Sequence, residues 1–244
     1  MNRAVELLCC LIHYSSINSY VLHYILLNRL YNDTKNLYDN FENTEYGLHT
    51  SHVSPNNLWI NIDSGEELVG VKKEANGNSI LNLNPNTTAS SNQSYSSLVI
   101  STKNFSNFEM SLDIKTEKQL RHASLLNPWE VAWVFFRYAD NQNHYSLILK
   151  PTGIELAKKD CEICLLSQES VSLYTDSNPK YEIGNWNNLY IKAINNTVTV
   201  GVNGSKVFSF VDNKMSEKLK NGQIGLFSND ASVSFDNIYV KKLE

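Results

Sequence analysis

The sequence predicts an all-β protein: a two-sheet antiparallel β-sandwich preceded by a short apolar extension. Segments in which apolar and polar residues alternate run almost continuously from about residue 58 to the end of the 244-residue chain. Turn sequences such as Asn203-Gly204 separate these segments, and Asn-Gly readily adopts the positive φ angles of a tight hairpin. Beyond the amino terminus, no segment has the amphipathic spacing and caps of a helix of about three turns.

Residues 1–35 differ in composition from the rest of the chain. Between Glu6 and Arg29 the sequence contains no Asp, Glu, Lys or Arg, and a polar run at 15–19 separates its apolar clusters. Two interpretations stay open: a secretion signal or membrane anchor, and a misassigned start or disordered extension. We therefore predict that the sandwich domain spans residues 36–244, and that a membrane is a partner only through such an anchor.

The strands are predicted in order along this domain. Residues 36–57 indicate a first strand and a loop, the polar tract 84–97 indicates a solvated loop, and residues 215–220 favour a helical turn. The other predicted strands span residues 58–62, 67–72, 79–83, 98–100, 108–115, 131–138, 144–150, 154–159, 171–174, 189–194, 197–202, 206–210, 223–227 and 232–241. This number of strands suits two packed sheets.

Composition limits the classes of partner. The net charge is −4 with no basic stripe, so nucleic acid is not an expected partner. Acceptor sites for N-glycosylation favour an extracellular or cell-surface glycoprotein, because they fall mostly in predicted loops. These sites are Asn32, Asn86, Asn92, Asn104, Asn195 and Asn203.

The four cysteines include one pair with Cys-x-x-Cys spacing, Cys161 and Cys164. A zinc half-site, a redox pair and a small disulfide all have this spacing. A structural zinc site needs about four ligands, and the chain has no second pair of this kind. The prediction is therefore two loop cysteines, either free or locally bridged.

Two blocks of residues carry a family resemblance. The first is Phe135-Phe136-Arg137-Tyr138-x-Asp140-Asn141-x-x-His144-Tyr145; the second comprises Trp186-Asn187, Val202-Asn203-Gly204, Phe210-x-Asp212, Gly222-x-Ile224-Gly225-Leu226 and Val233-x-Phe235-Asp236-Asn237-Ile238. Together they resemble the concanavalin A-like jelly rolls over residues 98–243, closest to the laminin G-like and 3-keto-disaccharide hydrolase (family 16 glycoside hydrolase-like) group. The resemblance implies a fold more than an activity, because this fold hosts lectins, lyases, hydrolases and adhesion modules.

One departure from the resemblance concerns catalysis. Family 16 glucanases carry Glu-x-Asp-x-x-Glu on one strand, where alternation directs both catalytic carboxylates to the same face. The nearest text here, residues 109–117, has the wrong spacing. The sequence therefore does not predict glucanase activity.

Alternation suggests which side chains face a ligand. In segment 131–138 the set Ala132, Val134, Phe136 and Tyr138 is the better core face, which leaves Trp133 and Arg137 for the concave surface. His144 and Lys150 share the corresponding face of the next strand, and Glu155 on the strand after it joins them or points to solvent. Trp offers a flat apolar plate to a sugar ring and Arg a fork of donors. Trp133 in the core, and a solvated face with charges of both signs, stay as alternatives.

The resemblance also implies a structural calcium ion. Many jelly rolls of this kind bind calcium where the first and last strands meet, through carboxylates and backbone carbonyls. Asp39, Glu42 and Asp236 fall in suitable segments and supply the hard oxygen ligands that calcium prefers.

Three functions follow from this fold and these residues. The leading hypothesis is an extracytoplasmic carbohydrate-binding domain that holds a polysaccharide on its concave face through Trp133, Arg137 and His144. The second is an enzyme, either a glycoside hydrolase of the 3-keto-disaccharide type or a polysaccharide lyase. A His, a Glu and two cations on one face would suit proton abstraction beside a uronate carboxylate, as a lyase needs, or simple recognition of an acidic glycan. The third is an adhesion or surface protein without a small ligand.

Overall fold

The computed structural model describes residues 35–42, 53–62, 68–87, 93–122, 125–161 and 170–244. The chain forms two compact units, Met1–Leu37 and Tyr38–Glu244. The predictions for the apolar extension, for Cys164 and for the acceptor sites Asn32 and Asn92 lie outside the described residues. Nowhere in the described ranges is there a helix long and apolar enough to cross a membrane.

The described residues form fifteen strands and one turn of 3₁₀ helix, which confirms the predicted all-β class. The strands are β1 (Leu37–Asp39), β2 (Trp59–Asn61), β3 (Leu68–Lys73), β4 (Ser79–Asn84), β5 (Ser96–Phe105), β6 (Phe108–Gln119), β7 (Ala132–Asp140), β8 (Asn143–Lys150), β9 (Gly153–Asp160), β10 (Val171–Asp176), β11 (Asn187–Ile194), β12 (Thr197–Val202), β13 (Ser205–Val211), β14 (Gly222–Asn229) and β15 (Ala231–Lys242). The 3₁₀ turn, Glu217–Lys220, falls within the segment predicted to be helical.

These strands build two antiparallel sheets. The eight-stranded sheet has the order β13-β12-β11-β6-β15-β4-β3, with β1 paired to β15, and the seven-stranded sheet has the order β10-β9-β8-β7-β14-β5-β2. Strands that are distant in sequence are neighbours in both sheets, as when β6 lies between β11 and β15. The two sheets pack as a β-sandwich of the predicted jelly-roll type.

Alternating side chains fill the space between the sheets. Phe136 of β7 meets Phe108 of β6 edge to face, with ring centroids 6.0 Å apart, and stacks on Tyr145 of β8 at 5.1 Å. Removing each such side chain from water contributes roughly 1.5 to 3 kcal/mol. Other fully buried members of this core are Leu112, Leu147, Leu156, Leu189, Ile191, Ile224, Leu226, Val233 and Phe235.

The predicted Asn-Gly turn is present. Asn203 and Gly204 have φ angles of 52° and 78°, and they connect β12 to β13. A two-residue hairpin turn whose twist matches that of its strands needs positive φ at both positions, which Asn and Gly adopt at little cost. The register of this hairpin follows from the turn.

Candidate functional site

The outer face of the seven-stranded sheet carries a second apolar cluster, separate from the core between the sheets. Trp133 on β7 is aligned with Phe227 on β14 and with Ile148 on β8, and all three point away from the eight-stranded sheet. The cluster consists of Leu98, Ile100, Phe135 and Tyr138, with Ile60, Ile62, Trp133 and Phe227 packed against it. An outer sheet face is usually polar, so an apolar outer face is a candidate binding surface.

Aromatic rings are in continuous contact along this face. Phe135 stacks on Phe227 at a centroid distance of 4.8 Å and on His144 at 4.3 Å. Trp133 meets Phe227 edge to face at 5.5 Å, and its indole N–H donates to the main-chain carbonyl of Trp129 at 2.8 Å. These contacts fix the rings, so the surface that they form is rigid.

A cleft of about 430 Å³ lies over these rings. Its described lining residues are Ser96, Leu98, Trp133, Phe135, Asn141, Gln142, His144, Ser146, Lys159, Ser170, Phe227 and Asn229. Within this set Lys159 is the single charged side chain at neutral pH, and no carboxylate is included. Such a mixture of aromatic, amide and hydroxyl groups is typical of sites for neutral polar ligands.

Ser146 provides a polar group at the floor of the cleft. Its side chain is 1% exposed, and its hydroxyl has no hydrogen-bond partner among the described residues. A buried hydroxyl without a partner costs about 1 to 3 kcal/mol. A ligand hydroxyl would supply this partner only after the atoms that cover the Ser146 oxygen move aside, since less than 1 Å² of that oxygen is accessible.

His144 presents an acceptor to the same cleft. Its Nδ1 lies 3.1 Å from the main-chain carbonyl of Asp140, so Nδ1 carries the proton and donates it. Burial, and to a smaller extent the positive charge of Lys159, lower the pKa of His144 to about 4. The imidazole is therefore neutral at pH 7, with an unprotonated Nε2.

Lys150 and Glu155 lie on the outer face of β8 and β9, as alternation predicts, but they bind each other. The Lys150 ammonium and the Glu155 carboxylate form a hydrogen-bonded ion pair. Neither is among the residues that line the cleft. Of the five predicted ligand-binding residues, the structure brings only Trp133 and His144 together in the cleft.

Arg137 differs from its predicted placement because the alternation of β7 breaks there. Arg137 has a φ angle of 49°, and the pairing of β7 with β8 shifts between Phe136 and Asp140. This bulge buries Arg137, which is 1% exposed, and turns its guanidinium toward the carbonyl of Ser106. The same bulge moves Tyr138, predicted to be a core residue, onto the outer apolar cluster, where its ring stacks on Phe135.

Gly222 on the neighbouring strand makes this bulge possible. A Cβ at position 222 would lie 2.4 Å from the carbonyl carbon of Arg137, which is closer than any real contact. Only glycine allows the two backbones to approach this far.

The three predicted calcium ligands do not converge. Asp39 accepts hydrogen bonds from the Trp59 indole N–H at 2.9 Å and from the Asn56 amide at 2.8 Å, and Glu42 accepts the main-chain N–H of Ser79. Asp236 accepts from Asn78 and from the main-chain N–H of Asn237. In the described ranges, no three Asp, Glu, His or Cys side chains form a group that suits a metal ion. Calcium binding by these residues stays a prediction, which thermal unfolding with and without EDTA would check.

Cys161 forms a disulfide bond. It lies at the end of β9, where its main-chain N–H donates to the side chain of Asn143 at 2.9 Å. The other three cysteines of the chain lie outside the described residues. The sequence left open whether Cys161 is a free thiol or forms a disulfide, and the structure has the disulfide.

Sequence reasoning missed Ser146 and Phe227 as cleft residues, and Tyr138 as a member of the outer apolar cluster. Phe227 was detectable, since alternation along 223–227 places it opposite the core residues Ile224 and Leu226. Ser146 shares a predicted face with His144, but its lack of a partner depends on neighbouring strands.

Solved structures with similar folds include carbohydrate-related proteins. The carbohydrate-binding module CBM66 from Bacillus subtilis aligns with a TM-score of 0.54 and 14% identity, over 75% of this chain and 95% of that protein. A structure described under endo-acting O-glycanases of the human gut microbiota aligns with a TM-score of 0.54 and 12% identity, over 85% and 99%. A protein of unknown function with a galectin-like fold, from Bacillus subtilis, aligns at 0.50 and 12%, over 84% and 98%.

Because the sequence identities are this low, the structural similarity shows only that the chain has the concanavalin A-like jelly-roll fold. No curated protein matches the sequence. Residues 34–241 match the family described as the 3-keto-alpha-glucoside-1,2-lyase-like domain, which is most of the chain. The chain therefore belongs to this family, in agreement with the resemblance that its two motif blocks carry.

Proposed function

We propose that this domain binds a carbohydrate chain, outside the cytoplasm, in the cleft on the outer face of its seven-stranded sheet. One observation carries the proposal: the buried hydroxyl of Ser146, without a partner among the described residues, lies at the floor of an aromatic cleft. An unpaired buried hydroxyl destabilises the unbound protein and is satisfied when a polar ligand binds.

The aromatic rings complement the other half of a sugar. A pyranose ring has apolar C–H faces and a polar rim, so it packs on a flat ring while its hydroxyls form hydrogen bonds at the edge. Trp133, Phe135 and Phe227 supply the flat surface. Their contacts with one another hold them in place before the ligand arrives, which lowers the entropic cost of binding.

His144 and Ser146 form a donor and acceptor pair. They are two residues apart on one face of β8, so their side chains are roughly 7 Å apart. The neutral His144 Nε2 accepts a hydrogen bond and the Ser146 hydroxyl donates one. Sugar hydroxyls both donate and accept, so adjacent hydroxyls of one ring match this pair.

Comparisons and the disulfide support the proposal. The family takes its description from a lyase whose named substrate is a 3-keto-alpha-glucoside, and the carbohydrate-binding module CBM66 has a similar fold. The disulfide of Cys161 supports a location outside the cytoplasm, where an oxidising environment keeps such bonds formed.

A catalytic function is the second candidate, and His144 is the observation that favours it. Its Nε2 is unprotonated and faces the cleft, as proton abstraction in an elimination requires. However, a pKa of about 4 makes it a weak base at neutral pH. Hydrolysis by two carboxylates is disfavoured because none lines the described part of the cleft.

The test is a glycan array on the full chain, followed by mass spectrometry of each bound glycan after incubation. We expect saturable binding without a new product. Trp133→Ala should weaken binding about thirtyfold, which corresponds to about 2 kcal/mol. Tyr190→Ala, which removes a partly exposed ring from the outer face of the other sheet, is the matched control and should bind like the wild type.

Three outcomes would change the conclusion. Unsaturated or shortened products that disappear in His144→Gln would establish the catalytic candidate. No binding to any glycan would favour an adhesion or surface protein. Loss of binding in Tyr190→Ala but not in Trp133→Ala would place the site on the other sheet.

A further inference from the structure

A second cavity, of about 470 Å³, lies at one end of the sandwich and shares no lining residue with the cleft. Its described lining residues are Ser106, Asn107, Arg137, Asn195, Asn196, Met215 and Lys220. Two of them are cationic, three are asparagines, and none of those described is acidic. The protein as a whole has a net charge of −4, so a cavity with this lining is electrostatically distinct.

Arg137 is the buried charge of this cavity, and none of the described residues supplies a counterion to it. Its Nε and Nη2 donate to the carbonyl of Ser106 at 2.9 and 2.8 Å, and its Nη1 to the Met215 sulfur at 3.1 Å. No carboxylate of the described residues pairs with it. A neutral carbonyl and a thioether, which is a weak acceptor, do not neutralise a buried cation.

The other buried arginine of the domain shows the usual arrangement. Arg121, which is 8% exposed, forms salt bridges with Glu130 and Asp230, both of them fully buried. A buried cation without such partners is destabilising, whereas a hydrogen-bonded anion beside it compensates the cost. Among the described residues, Arg121 therefore has carboxylates that neutralise its charge and Arg137 has none.

We propose that the cavity beside Arg137 binds an anionic group, a carboxylate, sulfate or phosphate. The guanidinium supplies charge and N–H donors at the inner wall, and the exposed Lys220 ammonium, which forms an ion pair with Glu217, lies at the rim. Asn195 is exposed at the same rim, and its side-chain amide has no hydrogen bond within the described residues. Burial lowers the pKa of Arg137, which an anion would reverse.

This site is independent of the proposed carbohydrate cleft. Regular alternation in β7 directs Trp133 and Phe135 to the cleft, and the bulge that follows directs Arg137 to the end of the sandwich. An anion-bearing ligand at Arg137 thus need not touch the aromatic face, and either site can fail without the other.

The experiment measures the melting temperature of the full chain at low ionic strength. Sodium sulfate, phosphate, acetate and glucuronate are titrated against sodium chloride at matched ionic strength, which equalises unspecific screening. Sulfate and phosphate also stabilise proteins without binding to a specific site, so Asn195→Asp is titrated in parallel. We expect at least one anion to raise the melting temperature above the chloride value, and to do so more in the wild type than in Asn195→Asp. A larger rise with glucuronate than with acetate identifies an acidic sugar as the source of the anion, and equal rises identify a small free anion.

Arg137 variants risk unfolding, so the decisive variant is Asn195→Asp. Asn195 has a φ angle of 51°, which Asp also adopts, and the new carboxylate would face the cavity. We expect this variant to melt at a higher temperature without any added anion and to lose the anion response. Lys220→Ala should keep the response with about fivefold weaker affinity.

The matched control is Asn57→Asp, an exposed asparagine with a φ angle of 57° outside the cavity. It adds the same charge and should leave both the melting temperature and the anion response unchanged. The proposal is overturned if no anion exceeds chloride, or if Asn195→Asp behaves like Asn57→Asp.

Discussion

The two outer faces of the sandwich are both built from strands with alternating side chains, but they differ in whether their polar groups have hydrogen-bond partners. On the eight-stranded sheet, Lys241 pairs with Glu109 at 3.2 Å, and the amides of Asn188 and Asn237 both donate to Asp113 at 2.8 Å. These residues are cross-strand neighbours, so their partners are supplied by the sheet itself.

The outer face of the seven-stranded sheet is apolar where the other is ionic. Its rings stack on one another, and the hydroxyl of Ser146 has no partner in the described part of the chain. A face whose polar groups are already paired gains little from a ligand, whereas an apolar face with an unpaired hydroxyl gains both burial and a hydrogen bond. The difference supports the proposal that the outer face of the seven-stranded sheet binds the ligand.

The largest expected effect is an acid-dependent loss of stability through His144. In the unfolded chain this residue takes up a proton near pH 6.5, but in the folded protein only near pH 4, because burial disfavours the charged ring. The free energy of unfolding therefore falls as the pH drops from 6.5 to 4, by about 3 kcal/mol from this residue alone. Urea unfolding of the wild type and of His144→Phe between pH 4 and 6.5 would measure this loss of stability. The Phe side chain keeps an aromatic ring on Phe135. Equal pH dependence in both proteins would contradict the burial of a neutral His144.

A second prediction extends the aromatic face beyond the cleft. Trp129 is 48% exposed, and its carbonyl holds the Trp133 indole. We expect Trp129→Ala to weaken binding of longer oligosaccharides about tenfold, near 1.4 kcal/mol, and to leave short ligands unaffected, as titration calorimetry with a chain-length series would show. Leu126→Ala, in the same loop and 53% exposed, is the control. Equal losses for ligands of every length would refute an extended surface.

Ser146→Ala separates binding from folding. The substitution removes a hydroxyl that has no hydrogen bond in the described structure, so the free energy of unfolding should stay the same or rise slightly. Glycan affinity should fall about fivefold, or about 1 kcal/mol. Chemical denaturation and titration calorimetry on one preparation test both. A destabilised variant with full affinity would show that Ser146 is structural.

The smallest effect is expected on the ionic face. Glu109→Gln removes the charge that pairs with Lys241, whose side chain is 48% exposed. Because solvent screens such pairs, stability should change by no more than about 0.5 kcal/mol, and glycan binding should not change. A clear loss of glycan binding would mean that both faces take part.

Much of the fold followed from the sequence because alternation and turn residues act locally. The predicted faces hold from Ala132 to Phe136 and along β8, where Tyr145 and Leu147 are buried. The bulge at Arg137 was not predictable, since positive φ is unfavourable for arginine and its cause, Gly222, is distant in sequence.

The candidate site was predictable only in part, for a related reason. The structure places Trp133 and His144 in the lining of the cleft, and the orientation of each follows from the alternation of its own strand. Lys150, Glu155 and Asp39 find partners that only the folded chain brings close, such as the Trp59 indole for Asp39. Side-chain type predicts what a group can bind, but neighbours decide what it does bind.

Gly222 carries no side chain, yet both the outer apolar cluster and the end cavity depend on it. Since even a methyl group there would collide with the Arg137 backbone, the bulge that places Tyr138 in the outer cluster and Arg137 in the wall of the end cavity tolerates no side chain at that position. A saturation screen would therefore rank position 222 with the binding residues, although it touches neither ligand. Intolerance to substitution at position 222 would result from the short distance between two backbones and not from contact with a ligand.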